Sequence, residues 1–475
     1  MQLQTTFQSF VRRLYQPVPV YPLITFRIAF GLMMLLSVLR FWYLGWIEDH
    51  YINTKITFKY FGFEWVTLPP PLVVYLLHGL LVLGAVGILI GFAYRLAALL
   101  HFCCFTYLEL IDLTYYLNHY YFVSLVSLLL VFVPAAQAYS VDSWLQEKYN
   151  KTKAQSIYFF LQITSFFSLS PTPPLSNSQI PQWTIWLFKG QIAIVYIYAG
   201  IAKMNSTWLL EALPLKIWLL AQDGMPVLGK LFTWEITAYA FSWIGMLYDT
   251  TIIFWLAWRP TRLWAYASVI FFHVLTGLLF QIGVFPLVMM VGTLIFFSNE
   301  WHYRCLSWLK KSKNSFEDSV KININQIQIQ ANFWVTSGFI VYFLFQIIFP
   351  WRFLLYNGNL LWTEQGYRFS WRVMLMEKAG TATFYVQDGV TKREGVVDNR
   401  DFLNPHQEKQ MAMQPDMLLQ YAHFLAAYYA KKGVQQPKVR AEVYITLNGQ
   451  PSKLLFDPQL DLTKIQDSWQ EKTWL

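Results

Sequence analysis

The chain has 475 residues, of which 56% are hydrophobic and 13% charged, against roughly 25% charged in soluble domains of ordinary composition. That excludes a water-soluble globular protein, and the 19% aromatic content, rich in Trp and Tyr, matches rings that settle at a bilayer interface. The formal charge of +9 does not indicate nucleic acid, because Lys and Arg concentrate between apolar runs as the positive-inside rule requires.

The opening MQLQTTFQSFVRRLYQPVPVY has no leading apolar region with a small-residue cleavage site, so the first span is expected to be retained. Apolar runs suited to crossing a bilayer follow at Tyr21–Leu39, Leu72–Phe92, Leu96–Leu113, Tyr120–Pro134, Trp183–Ala202, Trp234–Trp258, Leu263–Gln281, Val284–Phe297 and Phe333–Phe349. These make about nine spans at roughly 20 residues each, some of them short. The stretch 157–169, YFFLQITSFFSLS, is apolar but closer to the length of an interfacial or re-entrant segment. Cys103, Cys104 and Cys305 offer no disulfide framework.

Basic residues fall in alternate connections: Arg12 and Arg13, Arg95, Lys148 with Lys151 and Lys153, Arg259 with Arg262, and Arg304 with Lys310, Lys311 and Lys313. They mark the cytoplasmic side. The other connections are sparser in charge and carry Lys55, Lys59, Lys216 and Lys230. The amino terminus is then inside, and an odd number of spans delivers the C-terminal region outside.

From about Trp351 the pattern changes. ATFYVQDGVTKREGVV alternates around Asp388-Gly389 and AEVYITLNGQPSKLLF around Asn448-Gly449, both hairpin signals. Between them Met417, Leu418, Tyr421, Phe424, Leu425 and Tyr428 recur at helical spacing and stop before Gly433. The expected fold is a polytopic α-helical membrane domain over residues 1–350. It carries a C-terminal extramembrane α/β domain over 351–475, built from β-hairpins and a covering helix. With no Cys after Phe349, that domain must hold itself by its own core.

Ionisable groups inside spans are costly and mark candidate sites. Lys203 ends the run GQIAIVYIYAGIAK; Asp112, Asn118 and His119 lie where the third span turns into the fourth; His273 lies in IFFHVLTGLLF; His78 and His101 lie in spans two and three. By position alone Lys203 reads first as a lysine snorkelling from a helix end, the commonest fate of such a residue, and His78 and His101 read as interhelical hydrogen-bonding groups. No two of these histidines have the spacing of a ligand pair, so no metal is expected. The charge pattern nevertheless puts Lys203, Asn118, His119 and the C-terminal domain at one face. An amine at such an apolar boundary is suited to general-base work, because desolvation favours its neutral form.

KGQIAIVYIYAGIAKMNSTW resembles the segment of the vitamin K-dependent γ-glutamyl carboxylase family in which a lysine at a helix end deprotonates the reduced vitamin. Lys203 falls on that lysine, with Gly190, Gln191, Ala199, Gly200 and Trp208 in register. DLTYYLNHYY resembles the family's Asn-His stretch, giving Asn118 and His119, and FFHVLTGLLFQIGVFPLVMM is similar to its later His-bearing helix, giving His273. LLWTEQGYRFSWRVM resembles the external segment linked to glutamate binding, which carries over Trp362, Tyr367, Ser370 and Trp371. Phe353 and Met376 stand where animal members carry His. The similarity runs from about Tyr21 to Leu475.

The resemblance implies an enzyme that uses reduced vitamin K (phylloquinol or menaquinol) with O2 and CO2, and no metal. It would γ-carboxylate a glutamyl peptide or protein substrate while the quinol is epoxidised. Lys203 is then the base that deprotonates the quinol, and Asn118, His119 and His273 complete the catalytic set. The lipid bilayer and a lipophilic quinol are its partners. Two other classes stay open on the residues: a quinol-epoxidising membrane enzyme without carboxylation, and a non-catalytic quinone- or lipid-binding protein.

Overall fold

The computed structural model describes residues 2–152, 179–280, 282–310 and 330–475. The stretch 157–169, the expected span end Gln281, and Lys153, Lys311 and Lys313 lie outside the described residues.

Seven helices are long and apolar enough to cross a membrane. They are α1 (Tyr21–Tyr43), α2 (Pro71–Ile90), α3 (Tyr94–Ile111), α5 (Trp183–Ala202), α6 (Glu235–Ala257), α7 (Arg262–Leu279) and α9, which runs over Phe333–Ile348 and continues as a 3-10 turn to Leu355. Two shorter apolar helices, α4 (Asn118–Phe132) and α8 (Phe285–Thr293, prolonged by a 3-10 turn to Phe296), occupy the fourth and eighth expected spans. The count expected from the sequence therefore resolves into seven full-length helices and two short ones, α4 having only 15 residues. The short pair lies in the bundle interior: Phe122, Val126 and Leu130 of α4 and Val288 and Met289 of α8 are buried in its main apolar core.

The connections sort to two ends as their charges predict. At the basic end, Pro17–Pro19 (β1) pairs antiparallel with Gln179–Pro181 (β2). There the Gln182 amide donates to the Gln16 carbonyl, and Asp142 accepts from the Ala93 and Tyr94 amides. Arg27, fully buried, donates to the Ile88, Leu89, Ala135 and Tyr139 carbonyls, tying helix ends left without intrahelical partners.

At the other end sits the C-terminal domain. Its sheet has the order β4-β3-β5-β6, all antiparallel, with β3 at Lys378–Gln387, β4 at Glu394–Val396, β5 at Lys438–Leu447 and β6 at Lys453–Leu454. Both expected hairpins form. Asn448 and Gly449 adopt φ of 51° and 74°, the left-handed pair that a tight hairpin turn demands and that Asn-Gly supplies at least cost. Helix α10 (Pro415–Lys431) covers one face. Its Met417, Leu418, Tyr421, Ala422 and Leu425 meet Phe384, Val439, Ala441, Val443 and Ile445, the inward members of the alternating strands.

This core is not closed by the domain alone. Phe58 and Tyr60 from the α1–α2 connection and Leu113 from the α3–α4 turn are buried inside it. Gln420 exchanges two hydrogen bonds with the Lys59 backbone, at 2.7 and 2.9 Å. Gln407 donates to the Ile56 carbonyl and to Asp112 Oδ2. The domain needs no disulfide because the membrane loops complete its core.

Candidate active site

Lys203 caps the C-terminus of α5 and turns inward, its residue only 6% exposed. Its Nζ lies 2.8 Å from Asp249 Oδ2 of α6 and donates to the Ala199 carbonyl at 3.2 Å. The Trp208 ring lies 5.4 Å away, held by Asn205, which caps the Trp208 amide, and by its indole N–H bond to the Ser242 carbonyl. Two helices must approach closely for this. At Gly200 a Cβ would come within 2.5 Å of Thr250 Cγ2 and 2.8 Å of the Thr250 backbone nitrogen, so the absent side chain is what lets α5 lie against α6. The lysine is no interfacial anchor but is buried and hydrogen-bonded to an acid of the neighbouring helix.

Asp249 is the residue that reading the sequence missed. It stands in the apolar run SWIGMLYDTTIIFWLAW, where an acid is as costly as the lysine that was noticed.

Lys203, Asp249 and His273 line one cavity of about 80 Å³, with Tyr196, Trp208 and Phe285 among its walls. Tyr196 OH and His273 Nε2 are 2.7 Å apart, and His273 Nδ1 is buried with no partner. Asn118 and His119 line a second, larger cavity of about 510 Å³, together with Tyr367 and Arg372. Ile282, Phe285, Val373 and Met374 belong to both linings, so the two cavities share a wall. Phe285 is its centre: its ring lies 5.7 Å from that of His119 and 5.9 Å from that of His273.

The four candidates drawn from the membrane spans therefore face two abutting cavities rather than one. His119 makes no hydrogen bond among the described residues, whereas Asn118 accepts from Tyr116 OH and donates to the Arg372 carbonyl at 2.9 Å. His101 bonds Ser127 across α3 and α4, as expected of an interhelical group. His78 bonds the Val74 carbonyl of its own helix and lines the larger cavity.

The four external candidates separate. Tyr367 lines the larger cavity, and burial, reinforced by Glu364, pushes its phenol well up, which keeps it a neutral hydrogen-bond donor. Trp371 is fully buried, stacked at 4.8 Å on Tyr121 of α4 and packed into the bundle core. Ser370 is buried behind the cavity, donating to the Gly366 carbonyl and accepting from Arg352. Trp362 packs against the C-terminal core and lines a separate cavity with Asn448 and Lys453. The backbone carrying them is held in unfavourable conformations, with φ near +57° at Glu364, +56° at Phe369 and Trp371, and +52° at Met374. Such strain persists only where surrounding packing imposes it, and it clusters at functional segments. Here it drops Trp371 into the bundle and lays Val373 and Met374 across the partition.

The chemistry of the smaller cavity fits an aromatic diol: apolar walls, an amine, and an imidazole nitrogen in need of a partner. Its volume does not. A cavity of about 150 Å³ holds a single benzene ring, so a fused bicyclic ring also needs space from beyond the Phe285–Met374 partition.

No solved structure matches the chain. The family model described as HTTM domain matches residues 15–169 and 156–301, and that described as Vitamin K-dependent gamma-carboxylase, lumenal domain, matches residues 331–475. With its candidate spans, the lumenal-domain match makes this an integral membrane protein whose C-terminal domain is non-cytoplasmic. Both matches fall in order along one chain that folds around the lysine, Asn-His and histidine positions described above, and the chain belongs to the vitamin K-dependent gamma-carboxylase family.

Proposed function

We propose that the protein γ-carboxylates glutamyl residues at the expense of reduced vitamin K, with Lys203 as the base that takes the first proton from the quinol. The reduced quinone, converted by O2 to its epoxide and water, supplies a base strong enough to remove a γ-proton from glutamate, and the resulting carbanion takes up CO2. The observation that carries the reading is the inward turn of Lys203 onto Asp249 in a cavity that abuts the one lined by Asn118, His119 and Tyr367.

Each residue has a task in this reading. Lys203 accepts a proton at Nζ, and Asp249 holds the ammonium so formed inside an apolar wall. Tyr196 fixes the His273 ring through Nε2, leaving Nδ1 for a ligand hydroxyl. His119, which makes no hydrogen bond among the described residues, serves the same end from the other side of Phe285. Asn118 pins the external segment to the membrane bundle through the Arg372 carbonyl. Phe285, Val373 and Met374 keep water from passing between the two cavities, and they have to shift for a bicyclic ring to enter. The amino terminus lies on the cytoplasmic side, since the basic loops meet at the end opposite the C-terminal domain.

Purified full-length protein in detergent, given reduced vitamin K, oxygen, a glutamyl peptide and labelled bicarbonate, tests the reading when epoxide and fixed label are scored separately. Label fixed with epoxide supports it; epoxide alone leaves the enzyme without carboxylation; neither product returns the chain to the binding-protein class.

A further inference from the structure

Arginines with buried atoms in this protein are otherwise spoken for. Arg27 meets four carbonyls, Arg368 pairs with Asp416, and Arg352 donates to Ser370 and to the Phe349 and Arg368 carbonyls. Arg372 differs. Among the described residues its guanidinium has no carboxylate and no hydrogen-bond acceptor, and its Nε is buried and unsatisfied. It lies 4.3 Å over the Phe353 ring and lines the 510 Å³ cavity beside Tyr367, Asn118 and His119. The acids of that cavity do not neutralise it. Asp112 is taken up by the Phe58 and Thr114 amides, the Thr114 hydroxyl and Gln407, and Glu109 forms no ion pair with Arg372.

A planar, permanently charged fork with no hydrogen-bond partner among the described residues, in a roomy cavity, is suited to bidentate recognition of a carboxylate. Its position is fixed from both sides. The carbonyl of Arg372 is held by Asn118, and the next two residues, Val373 and Met374, form part of the wall shared with the Lys203 cavity. A carboxylate seated on Arg372 lies in the cavity whose Val373–Met374 wall is shared with the cavity of Lys203. We propose that Arg372 anchors the side-chain carboxylate of the glutamyl substrate, with the Tyr367 phenol as a second donor. The proposal rests on the carboxylase reading and adds to it the residue that selects glutamate over its amide.

The test is binding, not turnover. Full-length protein in detergent is titrated, by fluorescence anisotropy, with a labelled pentapeptide containing one glutamate and with the same peptide carrying glutamine. Wild type is expected to prefer the glutamate peptide on the order of tenfold, the size of a charge-assisted contact. Arg372→Gln should bring the two affinities within about twofold, and Arg372→Lys, which keeps the charge but not the fork, should retain only part of the preference. Thermal unfolding of each variant checks that it is folded, and Arg372→Lys carries the comparison if Arg372→Gln is not. A wild-type preference that survives unchanged in the folded variants overturns the role of Arg372 while leaving the glutamyl substrate in place. A wild type that does not distinguish the peptides overturns the glutamyl reading and the anchor together.

Discussion

Asp249 Oδ2 sits 2.8 Å from Lys203 Nζ between two helices whose close approach depends on Gly200. Asp249 is placed to hold the ammonium that forms when Lys203 takes up the quinol proton, and without it that buried charge is left uncompensated, at about 3–5 kcal/mol.

Asp249→Asn should therefore abolish quinol epoxidation although Lys203 remains. It should also lower the unfolding temperature. Gly200→Ala should act on the same pair from a distance, since the added methyl group runs into Thr250. Epoxide formation and thermal unfolding of both variants check this. A fully active Asp249→Asn enzyme would separate the ion pair from the chemistry.

Tyr367 and Trp371 belong to one motif, yet the structure places them differently, the first in the wall of the larger cavity and the second in the bundle core. Tyr367→Phe removes only a hydroxyl from the wall of the larger cavity, so KM for a glutamyl peptide should rise several-fold while quinol epoxidation and stability change little. Trp371→Ala removes a fully buried indole from the bundle core and should cost about 3–5 kcal/mol of stability, with all activities falling together. Peptide kinetics beside thermal unfolding distinguishes the two patterns.

The Arg368–Asp416 pair, 2.5 Å apart, fastens the external segment to α10. Burial pushes the Asp416 carboxyl up, but the charge and hydrogen bonds of Arg368, with help from Lys472 and the Met417 amide, outweigh it and hold it at about 2. A carboxyl held below its unfolded value contributes stability above the unfolded range near pH 4, and that contribution is lost as the pH falls toward 2. The unfolding temperature of wild type should drop more steeply between about pH 4 and 2 than that of Asp416→Asn. Parallel curves for the two proteins would contradict the assignment.

Reporter fusions after Tyr303 and after Phe349 flank α9 and should report opposite compartments, with the later one non-cytoplasmic. Identical reports would remove α9 as a crossing and invert the orientation inferred for the amino terminus.

Much of this fold could be read from the sequence because it is written in local periodicity. The apolar runs located all seven helices long enough to cross a membrane, and the helical repeat from Met417 to Tyr428 ended at Gly433, whose φ of 99° stops the helix. What could not be read lies in tertiary contacts that local pattern does not encode. The loop segment ITFKYFGFEW alternates over Ile56–Tyr60, but that pattern does not say which core the alternating face enters, and Phe58 and Tyr60 complete the core of a domain more than 300 residues away. Trp371 looked like a ligand-facing ring and is a buried plug. The site divided in the same way. Lys203, Asn118, His119 and His273 were legible as polar groups in apolar surroundings. Asp249 obeyed the same rule and was passed over. The Phe285 partition consists of apolar residues that no polar signal marks.

The base role of Lys203 is tested most directly by epoxide formation by wild type, Lys203→Arg and Lys203→Ala at equal folded protein. Arginine can still hydrogen-bond Asp249 but stays protonated at any working pH and cannot accept the quinol proton. With Lys203 as the base, both variants lose epoxidation, and any carboxylation with it, to at most about 1% of wild type, as removal of general acid-base catalysis typically costs 10²- to 10⁴-fold. Near-equal rates across the three proteins would contradict that role and leave Lys203 as half of a structural ion pair.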